Sequence, residues 1–229
     1  MAITAWERGT KVAYSCDHNL GTTERPLLSF ILTFLVAVQT TAPQQDARTR
    51  VVDAIIAEPY SETNWLALKT WAKENHASVS TPTIDRPDFK THNSALTPDP
   101  EMPTDPASGH SAWIVYETCR VKHGATSLSQ SATTGYHHSL AEESECLRAT
   151  AAELRTRIID GTLLQSSLDP SLQTLMALDK RGLLECWILL SASDPGLRED
   201  YPAYRNEHRQ KLADYVNRYI LKAAPPAIP

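Results

Sequence analysis

Apolar and polar positions recur along much of this chain at the three- and four-residue steps of amphipathic α-helices. The strongest pattern covers residues 136–159. Its apolar positions are Leu140, Leu147, Ala151, Leu154 and Ile158. A helix here would have Thr133 or Thr134 as its N-cap and Gly161 just after its C-terminus, and those residue types are preferred at these places. We therefore predict one long helix over this range.

The same spacing, together with capping residues, predicts further helices on both sides of this one. They begin near residues 27, 43, 61, 111, 169, 183 and 203. The segment 112–116 is rich in strand-forming residues, but its continuation to Lys122 and the glycine at Gly124 favour a short helix that ends there. Seven or eight helices without an internal repeat predict an all-α fold, an irregular helical bundle.

One long stretch, residues 76–109, shows no clear period. Its prolines are Pro82, Pro87, Pro98, Pro100, Pro103 and Pro106. Stretches longer than about 15 residues without regular structure are uncommon in compact domains, and they serve as functional loops or as linkers. We predict one helical domain over residues 1–229, in which 76–109 is an irregular Pro-rich loop or linker. The sequence leaves open whether this segment is a surface loop or a lid.

Charge and hydropathy argue against two classes of partner. The formal net charge is −5 and no basic run occurs, whereas nucleic-acid binders need basic residues to neutralise phosphates. The longest apolar run, residues 27–38, is shorter than the about 20 residues that span a bilayer as a helix. We therefore predict no nucleic-acid binding and no membrane span, and we interpret 27–38 as part of a buried helix.

The cysteines and the N-terminus bear on the compartment. The four cysteines are Cys16, Cys119, Cys146 and Cys186. They are far apart in sequence, and the chain begins without the basic and then apolar pattern of a secretory signal. We therefore predict free, reduced thiols in a cytoplasmic protein. Because glycine-rich nucleotide loops, H-E-x-x-H and di-iron motifs are missing, we expect no cofactor and identify no metal ligands.

A dense polar stretch, Thr133–Ser139, stands at the start of the strongest predicted helix. A helix N-terminus carries unpaired N–H groups and a partial positive charge, which favours neutral imidazole, the form that acts as a base. On a helix, His138 and Glu142 would share a face and could share a proton or a metal ion. The candidate catalytic residues are Tyr136, His137, His138 and Glu142. The alternative is that the histidine pair is a capped surface feature.

The same stretch resembles a motif of a known family. Residues Ser131–Leu140 are similar to the G-Y-H-x-T-x-T motif of a family of uncharacterised helical bacterial proteins, with Ser139 and Ala141 in place of the threonines. Upstream, Phe89 and His92 stand where that family has an aromatic-x-His element, at a shorter spacing. The resemblance covers a small part of the chain and implies that the tyrosine and first histidine of the motif line a pocket. It implies no particular activity.

Two hypotheses for the function follow. The first is a small-molecule enzyme or ligand-binding protein with a pocket between helices, where the histidines and the tyrosine supply acid–base groups for a cofactor-free isomerisation or hydrolysis. The alternative is a non-catalytic adaptor or regulatory protein that binds a partner through a helical face or through residues 76–109. The oligomeric state is left open, because the tyrosines of the last predicted helix suit either core packing or a homodimer face.

Overall fold

The structure is a computed structural model. The residues that it describes are 42–92, 95–98, 105, 107–130, 137–192 and 194–223. The predicted helix that begins near residue 27 and the motif residue Tyr136 lie outside them. None of the helices in the described part of the chain has both the length and the apolar character that crossing a membrane requires.

Seven α-helices account for most of the described residues, which confirms the predicted all-α irregular bundle. They are α1 (Ala42–Ala57), α2 (Glu62–Glu74), α3 (Trp113–Gln130), α4 (Leu140–Ile159), α5 (Pro170–Lys180), α6 (Leu184–Ser191) and α7 (Pro195–Tyr215). A π-helical turn, Val216–Ile220, follows α7. The helix near residue 111 is therefore correctly predicted as a helix and not as a strand.

Local capping explains where several helices begin. At the start of α2, the backbone N–H of Asn64 donates to the side chain of Ser61. At the start of α5, the N–H of Ser171 donates to the carboxylate of Asp169. Serine and aspartate are among the preferred N-caps because their oxygens satisfy N–H groups that have no partner within the helix. Both starts confirm the predictions near residues 61 and 169.

Two helix boundaries differ from the predictions. The helix α3 continues through Gly124, its predicted end. One glycine inside a helix costs only about 1 kcal/mol relative to alanine, and the packing of α3 against α4 is sufficient to offset that. The helix α7 begins at Pro195 and not near residue 203, because Asp194 caps it by accepting from the N–H of Gly196 and proline suits the first helical turn.

Residues 76–109, predicted to be irregular, contain three short strands where they are described. Within the described residues the strands are β1 (Ala77–Val79), β2 (Phe89–His92), β3 (Ala95–Pro98) and β4 (Leu221–Ala223). β1 pairs antiparallel with β4, near the end of the chain, and β2 pairs antiparallel with β3. Between β1 and β2, Ile84 and Pro87 are buried, so this part of the segment is packed against the rest of the protein.

The helix α4 is central to the packing, since it contacts α3, α5, α6 and α7. On its apolar stripe, Leu147, Ala151 and Leu154 have no exposed surface. The tyrosine stripe of α7 also faces inward, with Tyr204 and Tyr215 buried, which favours core packing for these residues. The core therefore forms on the faces that the apolar spacing predicts, and α4 connects its parts.

Candidate functional site

The N-terminal end of α4 lies among charged and polar side chains that we call the buried polar cluster. Its members are Arg86, Tyr116, Arg120, His138, Glu142, Glu143 and Asp194. They come from the Pro-rich segment, α3, the loop before α4, the first turn of α4 and the N-cap of α7. The cluster thus joins five parts of the chain that are separated in sequence.

The helix α4 begins later than predicted. Ser139 is its N-cap and accepts a hydrogen bond from the backbone N–H of Glu142 at 3.2 Å. The first helical residue is therefore Leu140 and not Tyr136, and the cap is not one of the upstream threonines. Because His138 precedes the helix, its predicted helical spacing to Glu142 is wrong.

His138 lies between two carboxylates. Its Nδ1 is 2.9 Å from Oδ2 of Asp194, and its Nε2 is 2.9 Å from Oε2 of Glu143. The side chain is only 7% exposed. Since both partners are ionised acceptors, only the doubly protonated imidazolium donates to both of them. Both ring nitrogens are therefore engaged, and neither is available to a substrate while these contacts persist.

Glu143 is at the centre of the cluster, and its side chain is completely buried. It accepts hydrogen bonds from the Tyr116 hydroxyl at 2.9 Å, from Nη1 of Arg120 at 2.5 Å and from Arg86. Burial raises the pKa of this carboxyl, but the hydrogen bond from the imidazole and the two guanidinium groups outweigh it and lower the pKa to about 2. Glu143 is therefore an anion at neutral pH, which suits an ion pair better than a general acid.

Arg120 binds both glutamates of the first turn of α4. Its Nε donates to Oε1 of Glu142 at 3.0 Å, while its Nη1 donates to Glu143 and to the hydroxyl of Tyr116. Arg120 and Glu142 are each only 5% exposed. Tyr116 and Arg120 lie one turn apart on α3 and so share a face. Two guanidinium groups and the imidazole, which lies between two acceptors, face three carboxylates, so each carboxylate of the cluster has a guanidinium or imidazole partner.

The carboxylate of Asp194 connects the cluster to α7. Burial raises its pKa, but the hydrogen bonds from His138 and from the backbone N–H of Gly196 outweigh burial, and the pKa is lowered. Asp194 therefore caps α7 and orients the imidazole at the same time. The neighbouring His137 is 48% exposed, with its Nδ1 3.7 Å from Oε2 of Glu199.

Of the four predicted catalytic residues, the structure brings His138 and Glu142 into one cluster, through Glu143 and Arg120. His137 lies at the surface, and Tyr136 lies outside the described residues. A catalytic role for any of them stays a prediction. The arrangement around His138 and Glu142 is that of an ion-pair network.

Sequence patterns missed most of the cluster. The missed residues are Arg86, Tyr116, Arg120, Glu143 and Asp194. Local signals existed for Glu143, because acidic residues in the first turn of a helix are favoured by the helix dipole, and for Asp194, because aspartate followed by proline is typical of a helix start. Arg86 is 57 residues from Glu143 and Asp194 is 56 residues from His138, and no spacing rule relates positions so far apart.

A groove lies beside the C-terminal half of α4, against α5 and the turn before it. Its volume is about 790 Å³. Its lining residues are Arg155, Ile158, Ile159, Gln165, Leu168, Gln173, Met176, Ala177, Asp179 and Lys180. At about 1.5 Å per residue, Ile158 is about 24 Å along the helix from Glu142. The groove and the buried polar cluster are therefore separate sites on one helix.

A disulfide joins Cys119 of α3 to Cys146 of α4, and their Cα atoms are 5.4 Å apart. The prediction that all cysteines are free thiols is therefore wrong. The two cysteines are 27 residues apart in sequence, and only the packing of α3 against α4 reveals the pair. Cys186 is free and buried, and burial raises the pKa of its thiol to about 11. Cys16 lies outside the described residues.

Comparison of the chain with models of known protein families, with curated proteins and with solved structures finds no match. The resemblance of Ser131–Leu140 to a helical bacterial family therefore stays a prediction. A helical bundle alone does not indicate a function.

Proposed function

We propose that this protein binds an amphipathic small molecule, with an apolar body and an anionic end, in the groove between α4 and α5. The observation that carries the proposal is the size of the groove together with its lining. A volume of about 790 Å³ falls within the range of about 300–1,000 Å³ that is typical of small-molecule sites. Such sites combine apolar walls with a few polar groups that fix the orientation of the ligand.

Apolar side chains form half of the lining. Leu168 is buried, Ile158 and Met176 are partly buried, and Ile159 is 86% exposed. A ligand that covered Ile159 would remove apolar surface from water, and complete burial of an isoleucine side chain contributes about 1.5–3 kcal/mol. The unbranched thioether of methionine adapts to irregular ligand shapes. An apolar ligand body therefore has suitable contacts here.

The charged residues of the lining favour an anionic end. Nη1 of Arg155 donates to Oδ2 of Asp179 at 2.7 Å, so these two charges compensate each other. Lys180 also lines the groove and makes no ion pair within the part of the chain that the structure describes. A carboxylate or phosphate on the ligand would gain a charge-assisted hydrogen bond from this ammonium group.

In this proposal the buried polar cluster has a structural role. Its imidazole has both nitrogens engaged and its central carboxylate stays ionised. Glu142 lies about 20 Å along α4 from Arg155, the groove residue nearest to the cluster on that helix. The cluster would hold α4 against α3 and α7, and so keep one wall of the groove in place. The proposal retains the ligand-binding part of the first hypothesis, without acid–base chemistry by His138 and Glu142.

Binding is tested with 1-anilinonaphthalene-8-sulfonate, an anionic amphiphile that reports on accessible apolar surface. We expect saturable binding of one molecule per folded chain. Decanoate should displace the probe, and decyltrimethylammonium, which has the same apolar tail but a cationic end, should displace it more weakly. Equal displacement by both amphiphiles would contradict the assignment of an anionic end.

Substitutions locate the binding site. Ile159→Ser removes an exposed apolar contact of the groove. We expect a loss of about 1–2 kcal/mol of binding free energy, which weakens probe binding about 5–30-fold. Ala177→Trp should block the groove by filling it. The control is Leu66→Ser, which removes a side chain of similar exposure, 65%, on α2. If Ala177→Trp binds the probe as tightly as the unchanged protein does, the groove is not the site.

One observation also favours a protein partner, the adaptor function that the sequence analysis left open. Ile159 and Leu164, five residues apart in sequence, are 86% and 68% exposed, and exposed apolar patches mark interaction surfaces. Sedimentation equilibrium of the full chain tests whether the partner is a second copy. If the chain forms a dimer and Leu164→Ser dissociates it, self-association replaces the small-molecule proposal. A monomer that takes up the amphiphile supports the small-molecule proposal.

The cytoplasmic location predicted from the sequence is part of this proposal, and the cysteine pair tests it. Reducing compartments keep such pairs as thiols, whereas oxidising compartments preserve disulfides. We expect Cys119 and Cys146 to be alkylated when cells are lysed directly into a thiol reagent with urea and a metal chelator, which expose the buried Cys146 and remove any bound metal. Complete protection of both from the reagent under these unfolding conditions would place the protein in an oxidising compartment.

A further inference from the structure

We propose that Cys119, His123 and Cys146 form a Zn²⁺ site when the two cysteines are reduced, and that the disulfide is the oxidised, metal-free form of the same site. Glu145 is the candidate for the fourth position. The site is independent of the groove between α4 and α5 and of the buried polar cluster. It lies on the surface where α3 packs against α4.

The geometry brings the ligands together from two helices. Cys119 and His123 are four residues apart on α3, so both side chains point toward the same side of that helix. Cys146 lies opposite on α4, and the ligand atoms of these three residues are all within 4.8 Å of one another. Nε2 of His123 is 3.3 Å from Oε2 of Glu145, which places a carboxylate oxygen beside the imidazole.

The donor set selects the metal. Two thiolates and one imidazole are the usual protein ligands of Zn²⁺, with Zn–S distances of about 2.3 Å and Zn–N distances of about 2.0–2.1 Å. In a tetrahedral site the fourth ligand is another side chain or water. The carboxylate of Glu145 either takes this position or orients the imidazole, as carboxylates do beside many zinc-bound histidines. Hard cations such as Mg²⁺ and Ca²⁺ prefer oxygen ligands and are disfavoured here.

Burial and access also suit a metal site. Cys146 is completely buried, His123 is 32% exposed and Glu145 is 67% exposed. A surface cavity of about 350 Å³ is lined by Cys119, His123 and Glu145 among others. An ion can therefore enter from solvent on one side, while the sulfur of Cys146 closes the other side.

The two forms interconvert by balanced steps. A phosphine reductant breaks the S–S bond, takes the oxygen of one water molecule to become a phosphine oxide, and leaves the two protons of that water on the two thiols. Binding of Zn²⁺ then releases these two protons. In the reverse direction, hydrogen peroxide accepts two electrons from the two thiolates, takes up two protons and leaves as two water molecules, while the S–S bond forms and Zn²⁺ departs.

The experiment uses the full chain, reduced with a phosphine and freed of metal, and titrates it with Co²⁺ as a spectroscopic probe for the zinc site. We expect one Co²⁺ per chain with a thiolate-to-cobalt charge-transfer band, and loss of this band when Zn²⁺ is added. The oxidised chain should show no such band. The variant Cys16→Ser should behave like the unchanged chain, which excludes a contribution from that cysteine.

Variants identify the ligands. His123→Ala should weaken binding by more than about 100-fold, beyond the about 10–100-fold that loss of an orienting partner costs. Glu145→Gln should weaken binding by about 10–100-fold where the carboxylate orients the imidazole, and by more than that where it is the fourth ligand. The control is His208→Ala on α7, whose imidazole is similarly exposed, 36%. Circular dichroism checks that the variants Cys119→Ser and Cys146→Ser remain helical. If they do not, His123→Ala still tests the site, because it alters a partly exposed residue.

Several results would overturn the proposal. A reduced chain without a charge-transfer band would leave the cysteine pair as a stabilising disulfide only. If His123→Ala binds Co²⁺ with full affinity and shows the same band, the imidazole is not a ligand of the site. A band that disappears in Cys16→Ser would assign the ion to other ligands.

Discussion

Replacing Glu143 by glutamine tests the structural role of the buried polar cluster. The substitution keeps the shape of the side chain and removes its charge. The side chain is completely buried and accepts hydrogen bonds from two guanidinium groups, one imidazole and one hydroxyl. In Glu143→Gln, Arg86 and Arg120 keep their positive charges and lose their central anion, and His138 loses a carboxylate acceptor.

Two independent estimates agree on how much free energy of unfolding Glu143→Gln should lose. Breaking a buried ion pair by removing one partner costs about 3–5 kcal/mol. Independently, the pKa of Glu143 is lowered from the ordinary 4.5 to about 2, and each unit corresponds to about 1.4 kcal/mol, which gives about 3 kcal/mol of stabilisation. For a chain of this length, a loss of 3–5 kcal/mol corresponds to a fall in Tm of about 6–20 °C.

The lowered pKa of Glu143 predicts how the stability difference between the two proteins changes with pH. The unfolded chain binds a proton at Glu143 near pH 4.5 and the folded chain only near pH 2. The stabilisation is therefore complete above about pH 5 and is lost as the pH falls toward 2. Urea unfolding of both proteins at pH 7, 5, 4 and 3 measures the effect. The difference between the unchanged chain and Glu143→Gln should be largest at pH 7 and should shrink steadily below pH 5, because a protonated glutamate resembles glutamine.

The control is Glu153→Gln, on the same helix, because Glu153 makes no ion pair within the described residues. This variant should unfold within about 0.5 kcal/mol of the unchanged chain, as surface substitutions usually do. A loss below 1 kcal/mol for Glu143→Gln at pH 7, or a difference that does not change between pH 7 and pH 3, would refute the reasoning.

Three smaller predictions test neighbouring features. Tyr116→Phe keeps the ring and removes the hydroxyl that donates to a buried carboxylate, so urea unfolding should show a loss of about 1.5–3 kcal/mol. Ser139→Ala removes the N-cap of α4 and should cost about 1 kcal/mol, whereas Ser166→Ala in the exposed turn before α5 should leave the free energy of unfolding unchanged. The thiol of Cys186, buried and with a pKa raised to about 11, should react with a thiol reagent at pH 8 only after urea is added.

The helices were predictable where local rules decide them. Ser61 and Asp169 are N-caps that the sequence identifies, because a side-chain oxygen two or three residues before an unpaired N–H satisfies it. The predictions failed where packing prevailed over local preference. Gly124 does not end α3, since contacts with α4 stabilise the helix beyond it. The predicted start of α4 is too early, because Thr133 and Ser139 are both good caps and sequence alone does not choose between them.

The candidate site was predictable only in part, for a physical reason. The polar stretch near a helix start predicts His138 and Glu142 as site residues, and both lie in the buried polar cluster. The partners that define their chemistry come from distant segments. An imidazole that faces one carboxylate leaves its second nitrogen free to act on a substrate, whereas one held between two carboxylates has both nitrogens engaged. The second carboxylate, Asp194, is 56 residues away. The role of His138 therefore depends on a contact that only the fold creates, and the charge balance of the whole cluster favours an ion-pair network that holds α3, α4 and α7 together.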